Sequence, residues 1–178
     1  ILSGRMKLQP RAAFAALIFA VGLAAQTPPA PPPANHDFDF WIGDWNVTTP
    51  DGKPAGTNRI EAVAGGRGLL ENWIGAAQPN GQPGGSGKSL NAFNAAKKQW
   101  QQFWIGSGGE VLELAGGLVD GRMELASAER TLRDGRKVVN RISWTPNTDG
   151  SVRQLWEQTF DGGKTWTTAF DGRYVKKN

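Results

Sequence analysis

From Asp39 onward, apolar and polar residues alternate in short runs, and each run is cut by a turn signal. Outside one helical turn expected at His36–Trp41, no stretch holds a helical period for more than a turn or two. The alternation predicts strands at 42–49, 57–64, 69–77, 88–94, 99–106, 110–116, 122–130, 136–145, 151–159 and 165–175. Asp-Gly recurs at 51, 120, 134, 149, 161 and 171, and Asn-Gly stands at 80. Between alternating runs these pairs predict type I′ hairpins, whose two central residues need positive φ. About ten short strands without crossover helices predict an all-β fold, an antiparallel up-and-down barrel, because closure removes exposed edges. A two-sheet sandwich is the alternative.

Composition agrees with this pattern. The 178 residues suit one domain, and eight Trp can supply its core, while 24 Gly and 11 Pro speak for many turns. Ahead of the alternating region the character of the chain changes. Lys7 and Arg11 precede an apolar run, Ala12–Leu23, followed by small residues at Ala24 and Ala25. This is the order of a secretory signal, too short for the roughly 20 residues of a spanning helix. The expected organisation is a signal peptide over 1–25, with 1–5 as read-through upstream of Met6, and a Pro-rich linker over 26–36. A barrel domain then covers 37–178, and the expected localisation is periplasmic or secreted, with no membrane span after cleavage. Setting aside Arg5, Lys7 and Arg11 reduces 20 basic residues to 17 against 16 acidic ones, which gives no electrostatic footprint for nucleic acid.

Several motifs resolve into structural roles. With no Cys, the chain has no disulfide, no thiol nucleophile and no thiolate metal site. Gly84–Ser89 imitates the end of a phosphate-binding loop, yet Gln82 stands where that loop needs Gly and the sequel alternates like a strand. Trp-Ile-Gly occurs at 41–43, 73–75 and 104–106, with flanks too different for an internal repeat. Thr159–Trp166 resembles the Asp-box of sialidases and other propellers. A single copy implies a structural hairpin, with Asp161 binding turn N–H groups and Trp166 packed beneath. The only His is His36, in or beside the linker; Asp37, Asp39 and Asp44 near it read as a solvated strand entry, and no Ser stands in a Gly-x-Ser-x-Gly elbow, so neither a metal site nor a catalytic triad is expected.

The aromatic faces carry more information. Trp100, Gln102 and Trp104 share one strand face, as do Gln154, Trp156 and Gln158. Indole and carboxamide together suit an apolar cavity with a few orienting hydrogen bonds. Ser89, Asn91 and Phe93 alternate in the same way, and Arg141 shares a face with Ser143. A buried Arg needs a carboxylate, an amide cluster or a stacked indole, and Arg141 or Arg173 stacked on Trp45 is the expected arrangement.

Gly43-Asp44-Trp45 on a first strand resembles the Gly-x-Trp signature of lipocalins and the wider calycin group. That resemblance implies a Trp closing the barrel floor with a basic residue from the last strand across it, for which Arg173 is the matching position. Phe38–Trp45, Ser89–Asn91, Trp100-x-Gln102-x-Trp104, Gly116–Leu118, Arg153–Gln158 and Phe170–Tyr174 are together similar to an uncharacterised family of exported bacterial proteins with a lipocalin-like domain. The likeness covers about 37–176. It implies a fold and no activity. Nitrobindin-like barrels share the Gly-x-Trp start and bind haem through a strand His, which this chain lacks.

The expected function is therefore an exported, monomeric or weakly dimeric barrel that holds a small apolar or aromatic molecule, without a cofactor. Phe93, Trp104 and Trp156 would supply contact surface; Asn91, Gln102, Gln154 and Arg141 would orient the ligand. Gly43, Trp45, Asp161, Trp166 and Arg173 are expected to be structural. The competing expectations are a cofactor-free isomerase, cyclase or hydrolase using Glu157 or Glu113 with Arg141, and a structural or interaction module of the cell envelope.

Overall fold

The computed structural model describes residues 34–177; the expected signal segment and most of the expected linker lie outside the described residues. A 3-10 turn at Asp39–Trp41 leads into β1 (Gly43–Thr48), β2 (Pro54–Val63), β3 (Gly68–Gly75), β4 (Ser86–Asn94), β5 (Gln99–Gly106) and β6 (Val111–Val119). There follow β7 (Arg122–Ala126), β8 (Arg130–Thr131), β9 (Lys137–Pro146), β10 (Val152–Thr159) and β11 (Thr167–Lys176). Each main strand pairs antiparallel with its neighbours, and the β9–β10 pairing closes ten of them into a ring, with β8 appended to β9. The protein is a closed, lipocalin-like up-and-down barrel. No described helix is long and apolar enough to cross a membrane.

The structure divides the expected 122–130 strand in two. At Ser127 the chain leaves the ladder: Asn140 N–H donates to the Ser127 hydroxyl (2.9 Å) while Ser127 N–H still donates to Asn140 O (2.9 Å). A side-chain oxygen thus takes over as acceptor, and the next two paired residues form β8. Turn chemistry also differs from the type I′ expectation. Of the Asp-Gly and Asn-Gly pairs, only Asp120-Gly121 has both residues at positive φ, 49° and 79°. At the turns holding Gly52, Gly81, Gly135 and Gly150 glycine alone is left-handed, so these are longer loops ending on a glycine. Asp171-Gly172 is no turn at all, but lies within β11.

Period-2 alternation sends Trp45, Asn58, Leu69, Ser89, Gln102, Leu114, Met123, Ile142 and Tyr174 into the barrel, where all of them are buried. One end is packed solid. Phe38 stacks on Trp41 with ring centroids 5.0 Å apart and meets Trp144 at 5.1 Å and Trp100 at 5.6 Å, both edge-on. Edge and offset contacts of this kind add about 0.5–1.5 kcal/mol each beyond the area they bury. Trp45 is fully buried, donates from its indole N–H to Trp41 O (2.9 Å) and meets Tyr174 edge-on at 6.2 Å. Phe38–Val47 is therefore the barrel floor.

The basic residue over Trp45 is not Arg173. Tyr174 points inward, so Arg173 must point out, where it pairs with Asp149 (2.6 Å). Lys176, two residues beyond Tyr174 on the same face, brings its ammonium 5.5 Å from the Trp45 ring.

Candidate functional site

The end opposite the floor is hollow. A cavity of about 190 Å³ is lined by Trp73, Trp104, Trp156, Phe170, Leu112, Ile142 and Ala169, with Glu71, Gln102, Gln154 and Tyr174 as its polar groups. Glycines on neighbouring strands make the hollow possible. A Cβ on Gly56 would lie 2.7 Å from the Trp73 ring, one on Gly172 would lie 2.6 Å from the Phe170 ring, and one on Gly87 would overlap Trp104. With the wall bare at these inward positions, the rings lie along it instead of filling the centre. Trp73 and Phe170 meet edge-on at 5.8 Å, and Trp156 is held by its N–H to Asn140 Oδ1 (2.9 Å).

Beneath the aromatic wall lies a polar layer centred on Glu71, which is 4% exposed. Leu69, Glu71 and Trp73 share the inward face of β3. Asn58 of β2 donates to Glu71 Oε1 (2.7 Å) and Ser89 of β4 to Glu71 Oε2 (2.6 Å). The register requires this, since Glu71 lies opposite Ser89 and beside the partner of Asn58. The network continues outward: Asn91 donates to Ser89 Oγ (2.9 Å), and Gln102 donates to Asn91 Oδ1 (2.8 Å). On the far wall Tyr174 OH donates to Gln154 Oε1 and accepts from Asn58 (3.4 Å).

Burial dominates the electrostatics here. Removal from water pushes the Glu71 carboxyl up to about 7, against the opposing pull of its bonds from Ser89 and Asn58. Burial, with the Glu71 charge nearby, also raises the Tyr174 phenol well above its ordinary range, so it stays a neutral donor. Among the described residues no Lys, Arg or His lines the cavity. Nor do three described His, Cys, Asp or Glu residues cluster to hold a metal ion.

Four of the expected ligand-contact residues, Gln102, Trp104, Gln154 and Trp156, converge on this cavity. Asn91 stands behind it, fully buried, and reaches it through Gln102 and Ser89. Phe93 lies toward the floor, edge-on to Trp100 at 6.1 Å. Arg141 is on the outer wall. Because Ile142 faces inward, its neighbour faces out, and Arg141 pairs with Glu157 (2.9 Å) and stacks on Trp166 with its guanidinium 4.0 Å from the ring. Both Glu157 and the exposed Glu113 therefore point away from the interior.

The loop between β10 and β11 is held by Asp161. Its carboxylate accepts from Thr165 N–H (3.0 Å), Thr165 Oγ1 (2.6 Å) and Thr159 Oγ1 (2.8 Å), which hold the carboxyl down at about 2.

No protein-family model matches the chain, and no curated protein matches it. A lipocalin-like barrel with a buried aromatic cluster is compatible with ligand binding. A second hollow, outside the barrel among Pro50, Asn147, Arg153, Asp171 and Arg173, carries its guanidinium groups already paired with Asp171 and Asp149.

Proposed function

We propose that this protein is an exported small-molecule-binding barrel, monomeric or weakly dimeric, whose ligand enters the aromatic cavity. The observation that carries the reading is the cavity itself: three indoles and a phenyl ring around a hollow with a sparse set of polar groups at its base. Its size limits the ligand. About 190 Å³ exceeds the roughly 150 Å³ of an engineered cavity that takes up benzene, and falls below the roughly 300 Å³ at the low end of drug-sized pockets. A molecule built on one ring, or a short branched chain, fills it. The apolar run at 12–23 and the Pro-rich segment after it support placing the protein outside the cytoplasm.

The test is intrinsic Trp fluorescence, since Trp73, Trp104 and Trp156 all face the hollow. Titration with indole and p-cresol should shift and quench the emission saturably, and native mass spectrometry of the purified protein should show a bound molecule. An emission spectrum indifferent to both compounds, with no retained mass, would refute the reading.

Glu71 favours a second reading, cofactor-free acid–base catalysis. A buried carboxyl held at about 7 at the base of the cavity is suited to taking and returning a proton near neutral pH. It replaces Glu157 and Glu113 as the catalytic candidate. Turnover of a bound compound, followed by NMR, should rise through pH 7 and vanish in Glu71→Gln.

A further inference from the structure

We infer that the ligand of this cavity is a small organic ammonium ion, seated with its charge on Glu71 and its carbon framework against Trp73, Trp104, Trp156 and Phe170. The inference rests on the cavity-binding reading above and names the ligand's charge. Four observations converge on it.

Glu71 is a buried carboxyl with neutral partners only. Asn58 and Ser89 each occupy one of its oxygens, and no cation lines the cavity among the described residues. A buried charge without a counter-charge is costly, and a ligand that brings the counter-charge removes the cost. Second, the donors that stand beside Glu71 are already committed. Gln102 already spends its N–H groups on Asn91 and Ser89, and Tyr174 spends its O–H on Gln154. The Glu71 carboxylate retains free lone pairs, so an N–H donor finds acceptors here and an anion finds repulsion.

Third, the wall presents π-systems. Indole is the strongest neutral partner for an ammonium group, and aromatic cages recognise such ligands by their quadrupoles. Three of the four rings are indoles. Fourth, the surrounding charges do not compete. Among the described residues Tyr174 is the only other titratable group that lines the cavity, and burial keeps it neutral. On the flanking strands, Arg59, Glu61 and Lys88 alternate outward; Arg59 pairs with Glu61 (3.1 Å), and Lys88 bonds Asn72. The ionisation of Glu71 below or above pH 7 then sets whether the site is neutral or negative.

A charge series of one size tests this on the full chain: benzylamine, benzyl alcohol and benzoate, followed by Trp fluorescence and calorimetry. At pH 8 benzylamine should bind at least tenfold more tightly than benzyl alcohol, and benzoate more weakly than either. At pH 5.5, where benzylamine is still a cation and Glu71 is protonated, the preference should shrink to less than threefold. Glu71→Gln should bind benzylamine and benzyl alcohol equally at pH 8. The pH comparison uses the unaltered chain and so stands even if the variant fails to fold.

Equal binding of amine and alcohol at pH 8, or a preference that persists at pH 5.5, overturns the ammonium inference and leaves the binding reading intact. A response to none of the three, together with none to indole or p-cresol, overturns the binding reading and this inference with it.

Discussion

Glu71 makes the stability of this barrel depend on pH in a direction opposite to that of its surface carboxylates. Burial raises the Glu71 carboxyl from 4.5 to about 7. A carboxyl raised on folding binds its proton more tightly in the native state, so its contribution is whole below pH 4.5 and declines as the pH climbs through 7. A tenfold gain in proton affinity corresponds to about 1.4 kcal/mol, so the rise at Glu71 makes the full decline about 3 kcal/mol. About 2.5 kcal/mol of that decline falls between pH 5 and pH 8, so with a urea slope of about 2 kcal/mol/M the unfolding midpoint should fall by about 1.2 M across this range.

The surface groups Asp51, Asp149 and Asp161 run the other way. Their carboxyls are held down at about 2, so what they contribute is present above pH 4 and lost only as the pH falls toward 2. They are silent in the window that Glu71 controls. Glu71→Gln isolates the effect. The amide accepts one of the two bonds from Asn58 and Ser89 and loses the other, a cost of about 1 kcal/mol. At pH 5, where the parent has already lost about 0.8 kcal/mol, the variant should match it to within about 0.5 kcal/mol, and at pH 8 it should be more stable by about 2 kcal/mol. The two curves, measured by urea denaturation with far-UV circular dichroism, should meet near pH 5 and diverge above it. Parallel curves, or a parent midpoint that holds steady from pH 5 to pH 8, would refute both the assigned ionisation and the dry environment behind it.

Two further outcomes separate the cavity from the wall around it. Gly87→Ala puts a methyl group into the Trp104 ring, and overpacking of this kind costs about 1–3 kcal/mol. The near-UV dichroism of Trp should change and the saturable response to benzyl alcohol should disappear; an undiminished response would show that Trp104 does not bound the site. Arg141→Ala removes the outer-wall pairing with Glu157 and the stack on Trp166, at a cost of about 1 kcal/mol for a partly exposed ion pair and cation–π contact. Ligand affinity should not move, and a change of more than threefold in calorimetry would return Arg141 to the binding site.

Strand parity explains what could be read from the chain and what could not. Trp100, Gln102 and Trp104 sit two apart within one strand, so their shared face follows from the pleat alone, and the cavity indeed takes Gln102 and Trp104 from it. Which face points inward is a different question, because it depends on the partner strands. Arg141 faced the same way as Ser143, but only the inward Ile142 and Trp156, opposite each other in β9 and β10, reveal that this face is the outer one. The same logic exchanges Arg173 for Lys176 over Trp45: Lys176 shares the face of the inward Tyr174 and Arg173 does not. Glu71 escaped for the complementary reason. In Leu-Leu-Glu-Asn-Trp its charge reads as the solvent face, although it shares parity with Leu69 and Trp73, which no solvent face would carry together. Asn58 and Ser89 have the same parity relative to Ile60 and Asn91 on the two adjoining strands. A buried carboxyl announces itself in sequence only as a polar residue on the apolar parity of its own strand, matched by donors on the inward parity of both neighbours. That triple coincidence, and not the Gly-x-Trp floor that identifies the fold, marks where a barrel of this kind has given up stability near neutral pH to keep a charge at the base of its cavity.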